Sequence, residues 1–195
     1  RNYIEKGIVI DKLLESLIVS KVNYDDLLVG DKNALMVAAR ILGYGQEYSF
    51  EYKDEEITVD LSLLENKGLE EGTYTKGVNK FTFTTPATNN VIEFKFLTHK
   101  DNRNIDKEKE SLKKIHKNYS AELTTRLKHI IVSVDGETDK KVINDFVNNR
   151  LLARDARALR AYIKEIQPDV PLSFYHDEEG EVSIPVNVNF FWPDV

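Results

Sequence analysis

The chain contains no cysteine, one methionine and one tryptophan. The absence of thiol excludes disulfides, thiolate catalysis and cysteine-ligated zinc or iron–sulfur centres. Long apolar runs are lacking as well. No segment reaches the roughly 18 apolar residues of a bilayer span. The longest apolar stretch near the start, Ile8 to Val19, is broken by Asp11, Lys12, Glu15 and Ser16. It reads as an amphipathic helix, so neither a signal peptide nor a membrane partner is expected. The first residue is Arg1 and not Met, and native residues are expected to precede it.

Basic excess is also lacking. The 27 Lys and Arg residues face 33 Asp and Glu residues, a formal net charge of −6. Affinity for nucleic acid is drawn largely from neutralised phosphates, so nucleic acid is not expected as the main partner. The 41% hydrophobic and 31% charged content over 195 residues suits one folded domain, or one domain carrying a small insertion.

Catalytic signatures are sparse. The four histidines, His99, His116, His129 and His176, include no i, i+4 pair of the kind that binds zinc on a helix. They read as surface residues. The carboxylate pairs Glu55-Glu56, Glu70-Glu71 and Glu178-Glu179 lie in turn-like, charged contexts and not in apolar pockets that would shift their pKa values. The segment Asp177-Glu178-Glu179-Gly180-Glu181 lacks the alternating ligands and closing Glu of a calcium loop. Gly43-Tyr44-Gly45 follows a helix, whereas phosphate-binding glycines precede one. No catalytic residue, cofactor-binding residue or metal ligand is expected.

What is present is clear periodicity. Residues 1–45 are helical in pattern, with Leu13, Leu14, Leu17 and Ile18 at helical spacing. A second helix over Asp31–Gly43 is expected to be capped by Asp31 and ended by Gly43. Between 46 and 97 the period becomes two: Tyr48, Phe50 and Tyr52; Ile57, Val59 and Leu61; Phe81 and Phe83; Ile92, Phe94 and Phe96. That predicts about four antiparallel strands. Residues 100–117 read as a solvated helix or connector, and 121–134 ends in a β-branched run open to helix or strand. Two helices follow, the second carrying Leu152, Ala156, Leu159 and Ile163 on one face and stopping at Pro168. Residues 172–184 form a hairpin around Glu179-Gly180. The expected class is α+β: a helical body (1–45 and 98–195) with an inserted small antiparallel sheet (46–97) and a C-terminal β-hairpin. Phe50 to Ile57 and Phe174 to Val182 resemble one another as aromatic strands running into acidic turns, which two hairpins sharing turn chemistry explain.

Two clusters stand out as contact surfaces. Arg150, Arg154, Arg157, Arg160 and Lys164 can form a stripe opposite the Leu152–Ala156–Leu159–Ile163 face. It reads either as a solvated face paired with Asp145, Asp155 and Glu165 or as a protein interface, where arginine is enriched. In the terminal Phe190-Phe191-Trp192-Pro193, extended backbone would turn adjacent Phe190 and Phe191 to opposite faces. One ring then joins the core, while the other and Trp192 need separate cover. The candidate interface residues are Arg154, Arg157, Arg160, Lys164, Phe191 and Trp192.

Three stretches carry a resemblance: Asp26 to Leu35 with Ile41-Leu42-Gly43-Tyr44-Gly45, Asp155 to Arg160 with Ile166-Gln167-Pro168, and Asn189 to Pro193. Together the chain resembles the baseplate protein family of T-even-like contractile-tailed bacteriophages. The resemblance implies a non-enzymatic role at the central hub, either as a retained component or as a transient assembly factor. It implies synthesis in the host cytoplasm, a place in the virion tail, other phage tail or baseplate proteins as partners, and oligomerisation through the tail assembly. Relatives of that family carry paired cysteines after the Tyr-Gly turn, suggestive of a zinc ribbon. This chain has Tyr52-Lys53-Asp54-Glu55-Glu56 there, so no metal is carried over. The rival readings are a small-molecule enzyme and a nucleic-acid module using the Arg150–Lys164 stripe.

Overall fold

The computed structural model describes residues 2–115 and 122–193. The elements are α1 (Asn2–Leu17), α2 (Val29–Tyr44), β1 (Glu47–Tyr52), β2 (Glu55–Asp60), β3 (Phe81–Thr84), β4 (Val91–Phe94), α3 (His99–Ile115), α4 (Glu122–Ile130), β5 (Ile131–Val134), α5 (Lys140–Asp145), α6 (Ala153–Ile166), β6 (Ser173–His176), β7 (Gly180–Ser183) and α7 (Val188–Phe191). The class is α+β with a C-terminal β-hairpin, as the periodicity predicts.

The chain divides into two compact units, Arg1–Lys67 with Pro168–Val195, and Gly68–Gln167. This differs from an insert spanning 46–97. The expected four strands form, but β1 and β2 make a two-stranded sheet, while β3 and β4 form a three-stranded antiparallel sheet with β5. The ambiguous run Ile131–Val134 is therefore a strand, and its long-range pairing with β4 moves β3 and β4 into the second unit.

In the first unit, Leu14, Val37, Tyr48, Phe50, Leu61, Ile184, Phe190 and Phe191 form the core. The β1–β2 turn places Lys53 and Asp54 at positive φ, as a two-residue hairpin loop twisted to match its strands requires. The two similar hairpins meet here: Phe50 and Tyr52 pack edge-on against Phe174, and Tyr52 packs against His176. Glu179 accepts hydrogen bonds from the Tyr52 hydroxyl and the Lys53 ammonium.

Two helix-end expectations change. α2 begins at Val29, and Asp31 acts from its first turn by accepting the Leu28 N–H at 2.9 Å. Its C-terminal stop is Gly45, at φ 86°, and Gly43 remains helical. A third glycine matters for packing. A Cβ built on Gly30 would overlap the Pro168 carbonyl oxygen and lie 2.9 Å from Asp169 Cα.

In the second unit, Phe81, Ile92, Phe94, Ile131 and Val134 of the sheet are buried, together with Ile105 of α3, Leu127 of α4, Ile143 of α5, and Leu159 and Ile163 of α6. Helix α3 is thus not a free connector: Ile105 is fully buried. A wide helical turn over Phe146–Arg150 joins α5 toward α6.

Candidate functional site

Helix α6 supplies the site because its two faces are chemically opposite. Residues three and four apart share one side of a helix. Asp155, Ala156, Leu159 and Ile163 are buried, while Arg154, Arg157, Arg160 and Lys164 are exposed on the other side. Tyr162 stacks on Phe83 at 5.3 Å between ring centroids and meets Phe94 edge-on at 6.0 Å, which seats α6 on the sheet.

The fully buried Asp155 is the second anchor. Its carboxylate accepts the Ala87 N–H and the Thr88 hydroxyl, both at 2.9 Å. That turn is itself closed by Thr85, whose hydroxyl accepts the Asn90 N–H at 2.8 Å. A charge out of water requires such donors. Asp155 is therefore unavailable to the arginines, contrary to the solvated-face pairing. Asp145 is also committed, forming an ion pair with Arg150 at 3.1 Å and accepting a hydrogen bond from the Asn149 side-chain amide at 2.8 Å. Arg150 precedes α6, lies over the Phe146 ring and does not join the stripe. Among the described residues, Arg154, Arg157 and Arg160 have no acidic partner; Arg160 only donates through Nε to the Ala156 carbonyl at 3.4 Å. Lys164 does have a partner. Leu152, expected on the buried face, is 42% exposed at the helix entrance.

The C-terminal aromatics behave differently from the expectation. Phe190 and Phe191 belong to the short helix α7, so they are not turned to opposite faces. Both are buried, and Phe191 is only 4% exposed. Phe190 meets Tyr48 edge-on at 4.9 Å. An exposed docking role for Phe191 does not hold, because it fills the core of its own unit. Trp192 is half-buried, 6.0 Å from Phe191 between ring centroids.

The histidines occupy distinct settings. His99 is buried, which corrects its reading as a surface residue. His176 is half-buried against Tyr52, and His116 lies outside the described residues. His129 sits 3.0 Å from Glu108. The glutamates at 55–56, 70–71 and 178–179 are exposed. Among the described residues, no group of three or more His, Cys, Asp or Glu could hold a metal ion, and no helix is long and apolar enough to cross a membrane.

His129 and Glu108 also line a cleft that local patterns did not reveal. It is about 550 Å³ in volume and is bordered by α3, the α4–β5 junction and α5. Burial raises the Asp101 carboxyl, but hydrogen bonds from the Lys95 ammonium, the Thr98 N–H and the Thr98 hydroxyl outweigh it and hold the group below the usual carboxylate range. The lining comes from separated segments, and only Thr98-x-x-Asp101 forms a local motif, a helix-capping pair.

Comparison with protein-family models, with curated proteins and with solved structures finds no match to this chain.

Proposed function

We propose that this protein is a structural component or assembly factor of a contractile-tailed phage baseplate, in the region of the central hub, working through protein–protein contacts and not through catalysis. The observation that carries the contact role is the Arg154, Arg157 and Arg160 face, exposed and without an acidic partner among the described residues. Three neighbouring guanidiniums repel one another, and a partner's carboxylates would relieve that repulsion while accepting paired N–H donors. Asp155 and Tyr162 hold the helix so that the arginines are displayed on a rigid support. The tail assignment rests on the resemblance of the segments around Asp26, Asp155 and Asn189.

The test is co-expression of the full chain with contractile-tail hub and wedge proteins, followed by size-exclusion chromatography. Complex formation is expected with the native chain and its loss with the triple variant R154E/R157E/R160E, whose circular dichroism should be unchanged. No complex with any baseplate protein would refute the assignment. Mass spectrometry of purified virions then separates a retained component from a transient factor. The same unpaired arginines also suit phosphates. Salt-sensitive binding of oligonucleotides that the triple variant loses would transfer the face to nucleic acid.

A further inference from the structure

We propose that the cleft of the Gly68–Gln167 unit is a separate docking site for an acidic peptide segment of a partner protein. The volume of about 550 Å³ lies within the range of built ligand sites. Its own carboxylates are already engaged: Asp101 by Lys95 at 2.8 Å and Glu108 by His129 at 3.0 Å. Lys128, half-buried, and Lys140, exposed, have no acidic partner among the described residues. The uncompensated charge of the cleft is therefore positive. An incoming carboxylate would supply the counter-charge that these two ammoniums lack within the described residues.

The remaining lining narrows the ligand. The side-chain amides of Asn104 and Asn144 make no hydrogen bond within the described residues and offer donors and acceptors suited to a peptide backbone. Ile131 and Ile143 give an aliphatic floor. Among the described residues no Phe, Tyr or Trp lines the cleft, so a nucleobase would find only the His129 imidazole, already engaged by Glu108, to stack on. The matching occupant is an extended segment with carboxylates reaching Lys128 and Lys140 and an aliphatic side chain between them. This inference does not depend on the tail assignment.

The test uses the full chain and a fluorescein-labelled peptide of alternating Asp and Leu, read by fluorescence anisotropy at low and high salt. A Lys–Leu peptide serves as the control. Binding of the acidic peptide alone is expected, weakened at least tenfold in K128E/K140E and retained in R154E/R157E/R160E. K128Q/K140Q provides the same reading if the reversed charges disturb folding. The proposal is overturned if the acidic peptide does not bind, or if the lysine variants bind it equally well. Displacement by succinate at equal carboxylate concentration would also overturn it, marking a small-anion site. So would a peptide-free dimer, seen by sedimentation, that K128E/K140E abolishes, because the occupant would then be a second copy of this chain.

Discussion

The buried carboxylate of Asp155 on α6 accepts the hydroxyl of Thr88, 67 residues earlier, at 2.9 Å, and the neighbouring Ala87 N–H at the same distance. This single acid fastens the proposed contact helix to the β3–β4 turn. D155A leaves the Ala87 N–H without its acceptor and should cost about 1–3 kcal/mol in urea unfolding. T88V should cost less, and the double variant D155A/T88V less than the sum, since the two groups share one interaction. Additive losses would show that the contact does not couple them.

Gly30 inverts the ordinary helix preference. Alanine inside a helix usually gains about 0.8–1 kcal/mol over glycine. At position 30 the new Cβ would meet the backbone at Pro168 and Asp169. G30A should therefore destabilise the chain by about 1–3 kcal/mol, as overpacking does. The control is the exposed helical Gly43, where a Cβ meets nothing within 4 Å: G43A should be neutral or stabilising in the same denaturation series.

Phe191 and Trp192 are adjacent but should respond differently. Truncating the buried Phe191 empties core volume, and F191A should cost about 3–5 kcal/mol. The half-buried Trp192 loses less cover, so W192A should show the smaller shift in thermal midpoint. Equal losses would mean that Trp192 is as much a core residue as its neighbour.

Asp101 ties stability to pH. Its folded pKa is held below the ordinary carboxylate value, chiefly because the Lys95 and Thr98 hydrogen bonds outweigh burial. A depressed carboxyl stabilises the fold above the ordinary range near about 3.9 and loses that contribution as pH falls through its folded pKa. D101N should therefore be less stable than the native chain at pH 7, with the difference narrowing below about pH 4. A difference that stays constant from pH 7 to pH 3 in urea titrations would contradict this.

Much of the local structure was legible. Alternating Tyr48, Phe50 and Tyr52, and Ile92 and Phe94, mark real strands. The boundary residues were less so. Asp31 resembles a cap but sits inside the first turn, and Gly43 resembles a stop but lies two positions before Gly45, which makes the turn. Both errors share a cause: cap chemistry identifies a residue type near a helix end, while the packing of α2 decides which position ends it. The Ile131–Val134 run is too short for its period to distinguish strand from helix. The cleft was not legible, since its residues come from segments whose juxtaposition depends on the sheet and on α3 to α5.

The sequence by itself determined the α+β class, the C-terminal hairpin around Glu179-Gly180, the lack of thiol chemistry and the spacing that puts Arg154, Arg157 and Arg160 on one side of α6. These are properties of neighbours along the chain, set by helical and strand periods and by local sterics. Only the tertiary structure decided that β3 and β4 form a sheet with β5, that Asp155 is committed to Thr88 and leaves the arginines without an acidic partner among the described residues, and that Phe191 is core. Those outcomes depend on which apolar faces bury one another and on which distant donors reach a buried charge, and neither is recorded in local spacing.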